Sequence, residues 1–64
     1  MITINGIETN VSNMTHKEYL LTTDYNLARI AIERNGDIVP KSRYESTVLC
    51  DGDAIEIVSF VGGG

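Results

Sequence analysis

The sequence predicts an α+β fold, with one mixed sheet of four to five strands and a single helix packed across it. Three observations lead there. Apolar and polar residues alternate with a period of two in several short runs, which is the signature of half-buried strands. Two Asn-Gly pairs, Asn5-Gly6 and Asn35-Gly36, stand between such runs. Asn-Gly is the strongest short hairpin signal, because a type I′ turn needs positive φ at both central positions. A single stretch, "THKEYLLTT" from Thr15 to Thr23, carries a helix start.

The elements follow in order. Ile2 and Ile4 alternate with Thr3 and Asn5, and Ile7, Thr9 and Val11 continue past the turn, so the chain opens as a hairpin. Thr15 and Glu18 form the pattern of a capping box, which predicts a helix from Thr15 to Thr23 with Leu20 facing the sheet. Ile30 and Ile32 share one face of the next strand, opposite Ala31 and Glu33. After the Asn35-Gly36 turn, Ile38-Val39 form a short strand that ends at Pro40, which lacks the ladder N–H. Lys41 to Ser46 are polar, with one helical turn carrying Tyr44 inward. Thr47 to Cys50 read as another strand, Asp51-Gly52-Asp53 as a turn, and Ile55 and Ile57 as the inward face of the last strand. Asn10-Val11-Ser12 and Asn13-Met14-Thr15 match the glycosylation pattern but read as turn and capping residues.

Bulk properties bound the function. Sixty-four residues make one domain, expected at 1–61 with a flexible glycine tail at 62–64. One cysteine, Cys50, and one histidine, His16, exclude an internal disulfide and a four-ligand zinc site. The net charge of −4 disfavours nucleic acid, whose phosphates call for a basic patch. No apolar run is long enough to span a bilayer. The unpaired cysteine and the lack of a leader point to a cytoplasmic setting.

The strand order, the segments "ERNGDIVP" (Glu33 to Pro40) and "LCDGDAIEIVSFVGGG" (Leu49 to Gly64), and the length carry a resemblance. The chain resembles the ubiquitin-like β-grasp proteins, and within them the ThiS family of sulfur carriers from thiamin biosynthesis. The confusable relative is the MoaD type, which serves molybdopterin synthesis and is usually longer. The resemblance implies that Gly64 presents an acceptor carboxylate. A ThiF-like adenylating enzyme would activate it with ATP, and a protein persulfide would supply sulfur to make a thiocarboxylate. A ThiG-like thiazole synthase would then receive that sulfur. The carrier itself would bind no cofactor and would be a protein co-substrate rather than an enzyme, monomeric when free. A β-grasp binding module with an idle glycine end is the alternative from another class.

Glycine suits such a tail because it has no side chain to clash in a narrow channel and reaches conformations other residues cannot. Three extended residues reach roughly 10 Å. With Ile55 and Ile57 inward, Glu56, Val58 and Phe60 point away from the core, beside Val61, Gly62 and Gly63. These residues are the candidate partner-binding set. Phe60 either anchors a partner or folds back on the domain's own edge. Cys50 reads as a small, partly buried strand residue, and His16 as a solvent-facing helix residue. Asp51 and Asp53 read as turn formers, since two acids fall short of a calcium loop. Arg29, Arg34, Lys41 and Arg43 read as solvated positions and surface pairs.

Overall fold

The structure, a computed structural model, describes residues 1–60. The expected hairpin forms from β1 (Ile2–Ile4) and β2 (Ile7–Thr9), joined by Asn5 and Gly6 at φ of 52° and 81°. The second hairpin, β3 (Ile30–Arg34) and β4 (Asp37–Val39), turns on Asn35 and Gly36 at φ of 51° and 91°. Asparagine tolerates this left-handed region because its short polar side chain can bond locally. The last strand is β5 (Ala54–Ser59). The five strands form one sheet in the order β2-β1-β5-β3-β4, with β1 and β5 parallel and the other neighbours antiparallel. Two hairpins distant in sequence are therefore joined through β5.

One helix, α1 (His16–Leu20), buries Leu20 in the core with the inward strand residues, and His16 is buried as well. Its capping box is complete. The Thr15 hydroxyl accepts from the Glu18 N–H at 3.1 Å, and the Glu18 carboxylate accepts from the Thr15 N–H at 2.8 Å. The helix is shorter than the expected Thr15 to Thr23. The Thr22 and Thr23 hydroxyls donate to the carbonyls of Tyr19 and Leu20 at 2.6 and 2.7 Å, and their own N–H groups turn to the same carbonyls. Such local bonding competes with the helix ladder. A 3-10 turn at Leu27–Arg29 leads into β3, and another at Lys41–Arg43 precedes buried Tyr44.

The core is Ile2, Ile4, Leu20, Ile30, Ile32, Val39, Tyr44, Leu49, Ile55 and Ile57, with Val11, Met14, Tyr19, Tyr25 and Leu27 packed against it. Each fully buried aliphatic side chain contributes roughly 1.5–3 kcal/mol of transfer free energy. Val11 reaches this core from outside β2, which ends at Thr9. The chain turns there, with the Met14 N–H donating to the Val11 carbonyl. The strand expected at Thr47 to Cys50 is reduced to one bridge, Thr15 to Val48. Its spatial neighbour is the short segment entering α1 rather than a strand, so Asn13, Leu49 and His16 N–H groups find carbonyls across this junction and no ladder extends.

Candidate functional site

β5 is the central strand, and it leads to the end of the described residues. It alternates from Ala54 to Val58: Ile55 and Ile57 are buried, while Glu56 and Val58 are exposed, as are Ser59 and, just past the strand, Phe60; Val58 and Phe60 are exposed by 51% and 57%. Phe60 is thus no part of the core, and its N–H donates to the Arg29 carbonyl at 2.7 Å, which ties the chain to the start of β3 at that point. Val61, Gly62, Gly63 and Gly64 lie outside the described residues.

The register sets what surrounds the exposed residues of β5. On the outer sheet face Val58 lies opposite Ala31, Glu56 opposite Glu33, and Glu33 opposite Ile38, which is also exposed. The face is thus an apolar surface of Val58, Ala31 and Ile38 carrying two acids. Like charges directly opposite in a sheet are destabilising. Among the described residues neither Glu33 nor Glu56 forms an ion pair.

Two side-chain clamps hold β5 in place. The Asn5 carboxamide oxygen accepts the Ile57 N–H at 2.7 Å, and its nitrogen donates to the Ile57 carbonyl at 3.3 Å. This side chain acts as one more residue of β1, whose ladder with β5 has only two paired positions, Thr3 with Ala54 and Ile4 with Ile55. At the other end of β5, the Asn35 carboxamide oxygen accepts the Ala54 N–H at 2.9 Å, and its nitrogen donates to Asp53 Oδ1 at 3.1 Å. Asp53 Oδ2 accepts from Arg34 Nε at 2.9 Å and from the Cys50 N–H at 3.0 Å. Burial of Asp53 pushes its carboxyl up. The Cys50 N–H, the Asn35 amide and the Arg34 guanidinium outweigh that and hold it below the usual carboxylate range.

Several expectations are corrected. Asp53 is a turn residue, but it is also a buried hub, and Arg34 is its half-buried partner rather than a solvated cation. His16 is buried: its Nδ1 lies 2.8 Å from the Thr47 carbonyl and its Nε2 has no partner. The first turn of α1 packs against the Thr47–Leu49 segment, which removes position 16 from solvent. Cys50 is exposed, because Leu49 takes the inward position at that bend. Asp51 pairs with the amino group of Met1, and Lys17 with Glu45. The role of both asparagines beyond turn formation escaped the sequence reading. The available signal was asparagine, rather than glycine, at the first turn position in both hairpins.

Among the described residues no group of three His, Cys, Asp or Glu side chains is placed to hold a metal ion, and no helix is long and apolar enough to cross a membrane.

Known proteins resemble this chain. A thiazole synthase of Paramagnetospirillum magneticum is 45% identical over 98% of this chain, which spans only 20% of that protein's length. The sulfur carrier protein ThiS of Bacillus subtilis is 41% identical, with 100% of both chains covered. The crystal structure of the thiamine biosynthesis protein ThiS from Geobacter metallireducens superposes with a TM-score of 0.77 at 29% identity, covering 98% of this chain and 97% of the other. The fold is accordingly the expected ubiquitin-like β-grasp. The ThiS family profile matches residues 2–64. With the profile spanning nearly the whole sequence and a relative matched end to end, the chain belongs to the ThiS family.

Proposed function

We propose that this chain is a sulfur carrier for the thiazole ring of thiamin, acting as a protein co-substrate. The observation that carries the reading is the end-to-end match to a sulfur carrier protein ThiS, extending through the terminal glycines. The Gly64 carboxylate attacks the α-phosphorus of ATP on a ThiF-like adenylating enzyme, and pyrophosphate leaves. The outer sulfur of a protein persulfide then displaces AMP from the acyl carbon. A second thiol takes the inner sulfur as a disulfide, which frees a thiocarboxylate on Gly64. That sulfur is the nucleophile passed on at a ThiG-like thiazole synthase. The two relatives named thiazole synthase, in which a segment resembling this chain makes up 20% of the length, support that last partner.

The chain's own contribution is reach and presentation. Fixing a glycine in a partner's channel costs roughly 1–2 kcal/mol per residue, which the partner's contacts must offset. Val58, Phe60 and Glu56 supply the docking surface, joined by Ala31, Ile38 and Glu33 across the sheet. An exposed aromatic beside apolar residues is the composition of an interface anchor. The two acids, left without a cation, favour a basic partner surface.

The test is an intact mass after incubation with the adenylating enzyme, ATP and a persulfide donor. The expected product has one terminal oxygen replaced by sulfur, and deletion of Gly64 abolishes it while the fold persists. Absence of any adenylate or sulfur adduct on the unaltered chain would sink the reading.

A further inference from the structure

We propose that Asn35 is a spontaneous modification site, at which loss of its amide releases the start of β5. The proposal is independent of what the tail carries. Both hairpin turns pair an asparagine with a glycine, and a glycine nitrogen is the least hindered backbone nucleophile. Nothing lies within 4 Å of where a Cβ would stand on Gly36 or on Gly6, and Asn35 itself is exposed at an open groove of about 400 Å³. The Gly36 nitrogen attacks Asn35 Cγ, the bond from Cγ to the amide nitrogen breaks, and ammonia leaves with the proton given up by Gly36. Water then opens the cyclic imide at either carbonyl and leaves a carboxylate at position 35, in normal or isoaspartyl linkage. Water is the only co-reactant, and nothing is oxidised or reduced.

The two turns differ in what this carboxylate would meet. At position 5 the lost donor faces the Ile57 carbonyl at 3.3 Å, which is neutral. At position 35 it faces the Asp53 carboxylate at 3.1 Å. Two anions at that distance cannot both remain charged and in contact. The charged groups around the pair are Arg34, which Asp53 already engages, and Asp37 and Arg43 lining the same groove. In the intact chain the carboxamide is pinned by the Ala54 N–H and by Asp53, so reaction waits on local opening of the turn. Once it has occurred the pin cannot re-form, and Asp53, the Cys50 N–H and the Ala54 N–H are all disturbed together.

The bonding pattern also supplies a compensating change. Arg34 and Cys50 both donate to Asp53 Oδ2, and Asn35 alone donates to Oδ1. Exchanging the two side chains, in N35D/D53N, therefore keeps every hydrogen bond with the roles reversed between positions 35 and 53. The experiment has two arms. The whole chain is aged at mildly alkaline pH, and folded and protease-sensitive fractions are separated and peptide-mapped. Aspartate in normal linkage at position 35 is expected to concentrate in the protease-sensitive fraction, and aspartate in normal linkage at position 5 to remain among folded chains. In parallel, N35D is expected to lower the melting temperature by roughly 10 °C or more, N5D by less than half of that, and N35D/D53N to recover most of the loss. If N35D does not fold, the exchanged pair must restore folding. The proposal is overturned if N35D melts with the unaltered protein or with N5D, if the exchange recovers nothing, or if chains with aspartate in normal linkage at 35 persist in the folded fraction.

Discussion

Replacing Asn5 by glycine isolates the clamp on β5. Glycine adopts the φ of 52° freely, and a Gly-Gly pair still forms a type I′ turn, so the hairpin itself is kept. The substitution removes the acceptor 2.7 Å from the Ile57 N–H and the donor 3.3 Å from its carbonyl. Leaving a partly buried N–H without a partner costs about 1–3 kcal/mol. Two smaller effects oppose each other. Glycine widens the unfolded ensemble by about 0.4–1 kcal/mol, and it relieves a left-handed conformation that costs a non-glycine residue a similar amount. The expected loss is therefore about 1–3 kcal/mol, out of roughly 3–10 kcal/mol for a domain of this length. Urea unfolding reads it as a lower midpoint at unchanged slope, and amide exchange reads it locally as faster exchange of the Ile57 N–H. A variant within about 0.5 kcal/mol of the unaltered chain, the usual scatter of a surface substitution, would refute the reasoning. So would unchanged protection at Ile57 alongside a global loss.

Three other outcomes are expected. Leu20→Ala empties the buried apolar position of α1 and should cost about 2–5 kcal/mol by urea unfolding, a large share of the stability of a domain this size. Asp53→Asn should cost stability at neutral pH by an amount that depends on pH in one direction. The folded-state carboxyl sits below its usual 3.8, so its contribution is complete above that value and is lost as pH falls through the lower, folded value. The stability gap between the unaltered chain and D53N should hold steady from neutrality to about pH 5 and close below 3.8; a gap that widens in acid would contradict the hub described here. Val58→Arg should leave the melting curve alone, because the side chain is exposed, yet raise the KM for adenylation about tenfold at unchanged kcat. An equal fall in kcat would place Val58 outside the docking contact.

The reading of the strands and turns came from local chemistry. Ile2, Ile4, Ile30, Ile32, Ile55 and Ile57 all point inward because alternation needs only the pleat, which is a property of adjacent residues. Both Asn-Gly turns and the Thr15–Glu18 box formed for the same reason: each closes within four residues. The exposure of Glu56, Val58 and Phe60 followed from the same parity. Burial that depends on a remote segment leaves no such local mark. His16 has the pattern of a polar helix residue but is buried against Thr47, and Thr47 to Cys50 has the pattern of a strand but, among the described residues, bridges only to the entry of α1.

By itself, then, the sequence determined which residues alternate, where the chain reverses and which side of β5 faces outward, because those choices are made by contacts a few residues apart. Tertiary structure alone decided what holds β5 between two hairpins. The bonds from Asn5 to Ile57 span 52 residues and those from Asn35 to Asp53 span 18, and no local pattern encodes a partner at such separation. The same side chains that permit the turns reach across to fix the strand that leads to the tail, and only the folded sheet brings the two tasks onto one asparagine.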